Sequence, residues 1–496
     1  MKRVAIIGGG FSGLSAACYL GREGYDVTVY EKNSTIGGRA RVFKRDGFIF
    51  DTGPTFYWMP DIIEKFFNDF GKSASDYYEL IRLDPGYEIY FGEKESVKIS
   101  SEIDKIFEVF EDIEPGSSKY LKKYLKQGEY NYRVAIDKVI EKPGRSPFEL
   151  IMPETISRVS QFFTSISTDV RANLKSEKLR EILEFPVLFL GAKPSRTPLF
   201  YCFMNYADMI LGTWHINGGI YKLVEAMESL AKENGVKIVT DCHVDKIVTI
   251  KDRATAIRHT VKQNGVISET ESETDFVITS ADYHFSETLL DEHKRNYSEK
   301  YWQKKVFAPS ALLYFVAFDK KLDNISHHTL FFDSSFKEHA ETIYDTPRWP
   351  DKPLFYGSFP SISDNNLAPQ GKECGIFLIP VATGIKDTPE LRETYFLQII
   401  SRMEKLTQQP IYQHILFKES YSLKNFTEDF HAYKGNAYGL SNILTQTAFL
   451  KPKMENRHIK NLLYTGQLTV PGPGVPPSII SGKIASVLTR KRFKNG

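Results

Sequence analysis

The stretch Val4–Glu31, VAIIGGGFSGLSAACYLGREGYDVTVYE, decides the fold of this chain. It opens with a short β-branched run, typical of a buried parallel strand, and Gly8, Gly10 and Gly13 follow at GxGxxG spacing. Apolar residues then recur at helical spacing up to Gly24, and a second β-branched run ends at the acid. This order of strand, glycine loop, helix, strand and acid predicts a unit that binds a dinucleotide.

Each part of this unit has a physical role in holding phosphate groups. Gly8 permits the tight turn, Gly10 lets a pyrophosphate approach the backbone, and Gly13 lets the helix pack closely on the strand. The free N–H groups and the positive dipole end of the helix attract the phosphates. Glu31 can accept hydrogen bonds from ribose hydroxyls and disfavours a 2′-phosphate, so NADP is not expected here.

A second glycine pair indicates a ligand longer than one nucleotide. Gly37-Gly38-Arg39 places further backbone N–H groups and a fixed cation beside the same site. The segment Asp46–Pro54 then reads as a strand that ends in a tight loop. Together these segments favour a large dinucleotide cofactor over a single nucleotide.

Several segments carry a family resemblance. The segment Lys2–Pro60 resembles the start of FAD-dependent amine-oxidase-like flavoproteins, and within it Phe50–Pro60 (FDTGPTFYWMP) resembles bacterial phytoene desaturases and their carotenoid-desaturase relatives. Trp214–Ile220 resembles the second FAD-contacting segment of that family, in which backbone groups near Val244 would meet the adenine side. Leu463–Ser478 resembles the carboxy-terminal FAD segment, a strand and glycine-rich loop before a helix.

The resemblance implies FAD as the cofactor, with Ser478 as the N-cap of a last helix whose positive end favours a reduced, anionic flavin. No metal site is predicted, because no zinc, HExxH or EF-hand spacing occurs. The predicted FAD contacts are Gly8, Gly10, Phe11, Ser12, Gly13, Glu31, Lys32, Gly38, Arg39, Gly53, Pro54, Thr55, Val244, Gly466, Val475 and Pro476.

The fold class predicted from these segments is α/β. Residues 1–95, 215–290 and 455–496 are expected to form a Rossmann-like FAD-binding domain of discontinuous segments, and residues 96–214 and 291–454 an α+β substrate-binding domain. Residues 96–200 are mostly helical in pattern, with basic and aromatic residues interleaved. Two interpretations stay open for them: a solvated helix face over a core, or a part that contacts a membrane.

Composition limits the functions that the chain can serve. With 496 residues and a net charge of +2, it has length for two or three domains and no charge excess that predicts nucleic-acid binding. Aromatic residues make up 13%, which suits either core filling or the lining of a site for a large apolar molecule. Four scattered cysteines and the lack of a long apolar run favour a cytoplasmic protein that lies peripherally at the inner membrane face.

The resemblance implies dehydrogenation of a C40 carotenoid such as phytoene, with hydride passing from a substrate carbon to the flavin. A substrate of this kind offers no polar handle, so a long apolar tunnel is expected. Quinone or oxygen would re-oxidise the flavin. The proton acceptor is not identified; His215, beside an FAD-contacting segment, is the one candidate, and an ordinary buried histidine is the alternative.

Other functions remain open at this stage. Within the family, a later desaturase could act on a γ-carotene-type or hydroxylated carotenoid, as in 3,4-desaturation, and a saturase or oxygenase fits the same scaffold. Outside it stand a flavin amine oxidase, a protoporphyrinogen oxidase and a flavin-bound protein that binds a partner protein without chemistry. The sequence cannot separate the family's substrates, because the discriminating groups line a tunnel.

Overall fold

The computed structural model describes residues 1–263 and 266–495. Its strands are β1 (Arg3–Ile7), β2 (Asp26–Tyr30), β3 (Val42–Arg45), β4 (Phe48–Asp51), β5 (Leu80–Arg82), β6 (Tyr87–Gly92), β7 (Glu95–Ile99), β8 (Trp214–Ile216), β9 (Lys237–Val239), β10 (Cys242–Ile250), β11 (Arg253–Gln263), β12 (Val266–Glu273), β13 (Phe276–Thr279), β14 (Ser310–Phe318), β15 (His328–Phe331), β16 (Phe355–Ser358), β17 (Glu373–Val381), β18 (Ile415–Tyr421) and β19 (Leu462–Tyr464).

The α-helices range from single turns to one of 21 residues at the carboxyl end. They are α1 (Phe11–Arg22), α2 (Pro60–Asn68), α3 (Ile103–Ile113), α4 (Ser117–Val134), α5 (Pro153–Ile156), α6 (Val159–Phe163), α7 (Ile166–Asn173), α8 (Glu177–Glu184), α9 (Phe203–Met209), α10 (Tyr221–Glu233), α11 (Tyr283–Thr288), α12 (Glu299–Gln303), α13 (Phe336–Tyr344), α14 (Pro389–Thr407), α15 (Leu423–Phe430) and α16 (Val475–Asn495).

A five-stranded parallel sheet has the order β19-β13-β1-β2-β9. Its strands come from the two ends and the middle of the chain, and β1 pairs in parallel with β13 on one side and β2 on the other. Helix α1 packs against both α10 and α16, which covers the sheet with helices, as a parallel sheet requires. The predicted α/β class with a discontinuous Rossmann-like sheet is confirmed.

A second, seven-stranded sheet has the order β18-β14-β17-β16-β15-β6-β7, with only β15 and β6 paired in parallel. Strand β14, the second from one edge, is buried along its whole length, because both of its faces are covered. Leu312, Tyr314 and Val316 belong to a core with α14, whereas the alternate residues Leu313 and Phe315 belong to a core with β4. Strands β6 and β7 join this sheet, so residues 87–99 lie with strands β14 to β18 rather than with the parallel sheet.

The rest of the architecture frames these two sheets. Strands β10, β11 and β12 form an antiparallel sheet beside the parallel one, and two small pairs join β3 to β4 and β5 to β8. Residues 103–209 hold helices α3 to α9, and α4 continues as a π-helical turn over Ala135–Val139. In the described parts of the chain, no helix combines the length and the apolar character that crossing a bilayer requires.

Candidate functional site

A cavity of about 610 Å³ lies between the two large sheets. One part of its wall comes from the carboxyl ends of β1 and β2 and from the segments that follow them. The other part is apolar and comes from the π-helical turn, from α13 and from strands β14 to β17. Ligands of open α/β sheets bind outside the carboxyl ends of the strands, so the cavity has the expected position.

The glycine loop shapes the first part of this wall. A Cβ on Gly13 would lie 2.1 Å from the carbonyl oxygen of Gly8, so the helix packs on the loop only with glycine there. A Cβ on Gly10 would meet no heavy atom of the protein nearer than the Cα of Gly38 at 3.9 Å. Gly10 is also the N-cap of α1 and supplies no side-chain cap, so the first N–H groups of the helix are left for a ligand.

The acid at the end of β2 is held in place. Glu31 is buried; its Oε2 accepts a hydrogen bond of 2.8 Å from the Gly9 N–H, and its Oε1 accepts one of 2.9 Å from the Asn33 N–H. Carboxylate oxygens can accept further bonds, so ribose hydroxyls remain acceptable partners. Lys32 follows it, and burial lowers the pKa of this lysine although neighbouring carboxylates oppose the shift.

Arg39 places a half-buried cation at the wall. Its Nη2 donates a hydrogen bond of 3.1 Å to the carbonyl oxygen of Asn436, whereas Nε has no partner within the described residues. Burial lowers the pKa of Arg39, and the Asp282 carboxylate opposes that shift. A buried guanidinium with an unused donor is expensive without an acceptor, so this position suits an anionic or oxygen-rich ligand.

The carboxy-terminal loop and helix complete the cofactor side. Gly466 donates its N–H to Ser481 Oγ at 3.0 Å, which ties the loop to the helix. Helix α16 begins at Val475, so Ser478 lies inside its first turn and the prediction of Ser478 as N-cap is wrong. The physical reason is that Pro476 fits the first turn, where a missing N–H is tolerated.

Most of the predicted contacts converge on this one cavity. It is lined by Gly8, Gly10, Phe11, Ser12, Glu31, Lys32, Gly38, Arg39, Gly53, Pro54, Thr55, Val244, Gly466, Val475 and Pro476. Gly13 lies beneath the loop rather than on the wall. The glycine cradle, the fixed acid and the unused cation donor fit a dinucleotide such as FAD; the role of each residue stays a prediction.

His215 is not among the residues that line the cavity. It is buried behind the wall, with Nε2 at 3.1 Å from Asp364 Oδ2. Its ring centroid lies 4.8 Å from that of His327, which lies 4.5 Å from that of His328. The role of His215 as proton acceptor stays a prediction, and no contact with the cavity supports it.

The sequence profile of flavin containing amine oxidoreductases matches residues 11–488. The chain belongs to this family. It is accordingly an FAD-dependent oxidoreductase, and this membership confirms the cofactor predicted from the motifs.

Two relatives and one solved structure resemble the chain over nearly its whole length. It is 34% identical to the carotenoid 3,4-desaturase of Haloarcula japonica, over 97% of this chain and 96% of the relative. It is 29% identical to the zeta-carotene-forming phytoene desaturase of Myxococcus xanthus, over 98% and 93%. An oxidoreductase from Methanosarcina mazei shares the fold, with a TM-score of 0.62 and 17% identity over 97% and 99% of the two chains.

Sequence reasoning missed the polar groups of the far wall. Tyr356 lines the cavity, and its OH lies 2.9 Å from Thr55 Oγ1 and 2.6 Å from Nδ1 of the buried His328. The contact between Thr55 and Tyr356 spans 301 positions, so no local spacing could reveal it. Asp51 was likewise missed; it accepts the N–H groups of Ile220 and Tyr221 and so ties the FDTGP segment to α10.

Proposed function

We propose that this enzyme desaturates a C40 carotenoid such as phytoene. The observation that carries the proposal is the continuity of the cavity, which joins the dinucleotide cradle to an apolar wall. That wall includes Phe185, Leu188, Phe200, Phe203, Met204 and Phe336. An apolar wall gives a long hydrocarbon its affinity through burial, and the two relatives carry names of carotenoid desaturases.

The residues of this chain divide the work in that reaction. The flavin, when bound, supplies the acceptor for a hydride equivalent. The glycine loop and Glu31 hold the cofactor, while the apolar wall excludes water and orients the polyene. Arg39 balances negative charge on the cofactor side.

A second candidate is desaturation of a γ-carotene-type or hydroxylated carotenoid. Two observations favour it: the 34% identity with a carotenoid 3,4-desaturase, and a polar pair in the cavity wall. Tyr201 OH lies 3.0 Å from Thr447 Oγ1, and both residues line the cavity. A hydroxylated end group would find hydrogen-bond partners there, whereas phytoene would not.

The first test is pigment formation in a colourless host that makes phytoene and expresses this chain. A red extract with the spectrum of a long polyene would establish phytoene desaturation, and the absorption maxima would give the number of steps. Unchanged phytoene beside flavin-bearing protein would exclude the first candidate. The same host supplied with hydroxylated or γ-carotene-type substrates would then decide the second.

We also propose that the enzyme docks peripherally on the cytoplasmic face of the inner membrane. The segment 148–163 exposes large apolar side chains, including Phe148 at 77% and Phe163 at 79%. Leu150 in this segment lines the cavity, so the exposed patch adjoins a route for an apolar substrate. Arg158 in this segment and the exposed Lys142 shortly before it are cations that suit an anionic lipid surface.

Vesicle flotation tests this docking. The double variant Phe148→Ser/Phe163→Ser is expected to bind vesicles of anionic phospholipid at least ~10-fold more weakly, because two apolar anchors are lost. The control is Ile250→Ser/Ile267→Ser, which removes two exposed apolar residues, 63% and 68% accessible, from strands β10 and β12. Equal loss in both variants would contradict a docking surface at 148–163.

The proposed domains divide the chain into a cofactor part and a substrate part. We assign residues 1–95, 215–290 and 455–496 to the cofactor and residues 96–214 and 291–454 to the substrate. All five strands of the parallel sheet fall in the first set, while residues 87–95 pair within the second sheet.

Quinone or oxygen is the proposed re-oxidant, and a membrane position gives access to a quinone.

A further inference from the structure

Three side chains form a hydrogen-bonded chain that ends on the cavity wall. His328 Nδ1 lies 2.6 Å from Tyr356 OH, and that oxygen lies 2.9 Å from Thr55 Oγ1. Tyr356 and Thr55 line the cavity, whereas His328 is completely buried behind them. Thr55 is itself a predicted FAD contact, as are Gly53 and Pro54 before it, so the oxygen pair lies next to the cofactor side of the cavity.

The fold holds these three hydrogen-bonded side chains rigidly. His328 opens β15 and Tyr356 lies on β16, and the two strands are antiparallel neighbours. The ring of Phe56 stacks on His328 with centroids 4.0 Å apart and planes 16° from parallel. Thr55 and Phe56 are adjacent in sequence, so one loop fixes both the imidazole plane and the hydroxyl that meets Tyr356.

Burial keeps the Tyr356 phenol and the His328 imidazole uncharged before substrate reacts. Burial raises the pKa of Tyr356 above its ordinary value, so the phenol is not ionised near neutral pH. Burial lowers the pKa of His328 well below its ordinary value, and the nearby His215 lowers it further. A neutral phenol beside a neutral imidazole suits a wall that must also hold a hydrocarbon.

We propose that Tyr356 is the proton acceptor of the desaturation and that His328 positions it and holds the displaced proton. This inference rests on the proposed carotenoid desaturation. With the ring proton on Nε2, His328 Nδ1 accepts the hydrogen bond from the Tyr356 O–H. The Tyr356 oxygen can then take a proton from substrate while its own proton passes to Nδ1.

Substrate loses two hydrogens in this reaction. The flavin, when bound, would supply the two-electron acceptor for the hydrogen that leaves one substrate carbon with its electron pair. The neighbouring C–H bond breaks, its electron pair forms the new carbon–carbon double bond, and its proton bonds to the Tyr356 oxygen. The phenolic proton of Tyr356 moves to His328 Nδ1, and it returns to the phenol when product leaves and water takes up the extra proton.

A neutral oxygen is a sufficient base for this step. The hydrogen next to a carbocation-like carbon is strongly acidic, so even a buried imidazole of low pKa is a favourable final acceptor. His215 is less well placed, since Asp364 holds its Nε2 and it is not among the residues that line the cavity. The catalytic contact therefore falls to Tyr356, which lines the cavity.

The test compares two tyrosine-to-phenylalanine variants in the flavin-loaded enzyme. Tyr356→Phe is expected to slow anaerobic flavin reduction by carotenoid substrate by at least ~100-fold, with flavin content and KM unchanged. Tyr395→Phe is the matched control, because Tyr395 is a buried tyrosine of α14 whose OH donates to the carbonyl oxygen of Pro350 at 2.6 Å and which is not among the residues that line the cavity. It is expected to react at the wild-type rate.

A readout independent of activity reports the hydrogen bond itself. In ¹⁵N spectra of histidine-labelled protein, His328 is expected as the Nε2–H tautomer, and Tyr356→Phe is expected to shift its Nδ1 resonance. Thr55→Val keeps the fold of the wall but removes the hydroxyl that meets Tyr356, and it is expected to slow flavin reduction about tenfold. It tests the role of the three hydrogen-bonded side chains if Tyr356→Phe folds poorly.

The outcomes separate the inference from the function on which it rests. Failure of every carotenoid to reduce the wild-type flavin would overturn the proposed function. Reduction of wild type and of Tyr356→Phe at the same rate, or an equal loss in Tyr395→Phe, would overturn the role of Tyr356 alone. An Nδ1–H tautomer of His328 in wild type would overturn the proton transfer to that ring.

Discussion

The two walls of the cavity differ in how they are built. The dinucleotide wall at Gly8–Ser12 and Glu31 rests on backbone geometry and on contacts close in sequence. The sheet wall, formed by Leu330, Tyr356, Ile376 and Leu378, rests on side chains that meet across distant strands. The difference teaches that binding a common cofactor needs a local motif, while selecting a substrate uses long-range packing.

The largest effect should follow from one methyl group on the dinucleotide wall. We expect Gly13→Ala to lower the free energy of unfolding by more than the ~1–3 kcal/mol typical of overpacking, because the new Cβ would lie 2.1 Å from a main-chain oxygen. Gly10→Ala has room in the protein, so it should fold normally yet bind FAD at least ~100-fold more weakly. Thermal unfolding of the flavin-free forms and flavin-to-protein ratios measure the two effects. Normal flavin content in Gly10→Ala would contradict the cradle.

The same contrast explains what could be predicted from sequence. The β1-α1-β2 unit and the glycine cradle were predictable, because strand, turn and helix signals there occur within about 30 residues, whereas FAD was implied by the family resemblance. Val244 and Gly466 required a family resemblance, since they reach the cavity from remote segments. Tyr356 could not be predicted, because its contact with Thr55 depends on the register of β15 and β16 and leaves no periodic pattern.

A buried lysine beside the carboxy-terminal loop offers a gain in stability. Lys451 is 2% exposed, its Nζ has no partner within the described residues, and burial lowers its pKa to about 7. Because the folded protein lowers the pKa of Lys451, the contribution of this residue to the free energy of unfolding is fully present above pH 10.5 and is lost as pH falls towards 7. We expect Lys451→Met to raise the free energy of unfolding by about 3 kcal/mol near pH 8.

The control for this prediction is Lys453→Met. Lys453 Nζ donates to the carbonyl oxygens of Gly144 and Phe449, both at 2.7 Å, so its removal should destabilise the protein. Urea unfolding of both variants in the flavin-free form shows whether each substitution raises or lowers the free energy of unfolding. Destabilisation by Lys451→Met would mean that the ammonium has a partner in solution.

The smallest effect concerns a histidine of the sheet wall and its dependence on pH. His339 lines the cavity; its Nε2 lies 2.8 Å from the carbonyl oxygen of Pro380, and its Nδ1 accepts the N–H of Leu354 at 3.0 Å. Burial lowers the pKa of His339 to about 4 from an ordinary 6.5, so its contribution to stability is present above pH 6.5 and is lost as pH falls towards 4. At about pH 5.5 the loss should be roughly 1.4 kcal/mol.

The measurement compares wild type with His339→Gln, whose amide can reproduce both hydrogen bonds but cannot be protonated. The variant should lose less stability than wild type between about pH 7.5 and 5.5. The difference between the two stability curves reports His339 alone. Burial raises the pKa of Asp208 to about 7, which makes stability change with pH in the opposite sense, but Asp208 titrates in both proteins and its effect cancels. His458→Gln, which changes an exposed histidine, should follow wild type. Parallel curves for wild type and His339→Gln would show that the sheet wall tolerates a charge at this position, and so that it is more open to water than its packing implies.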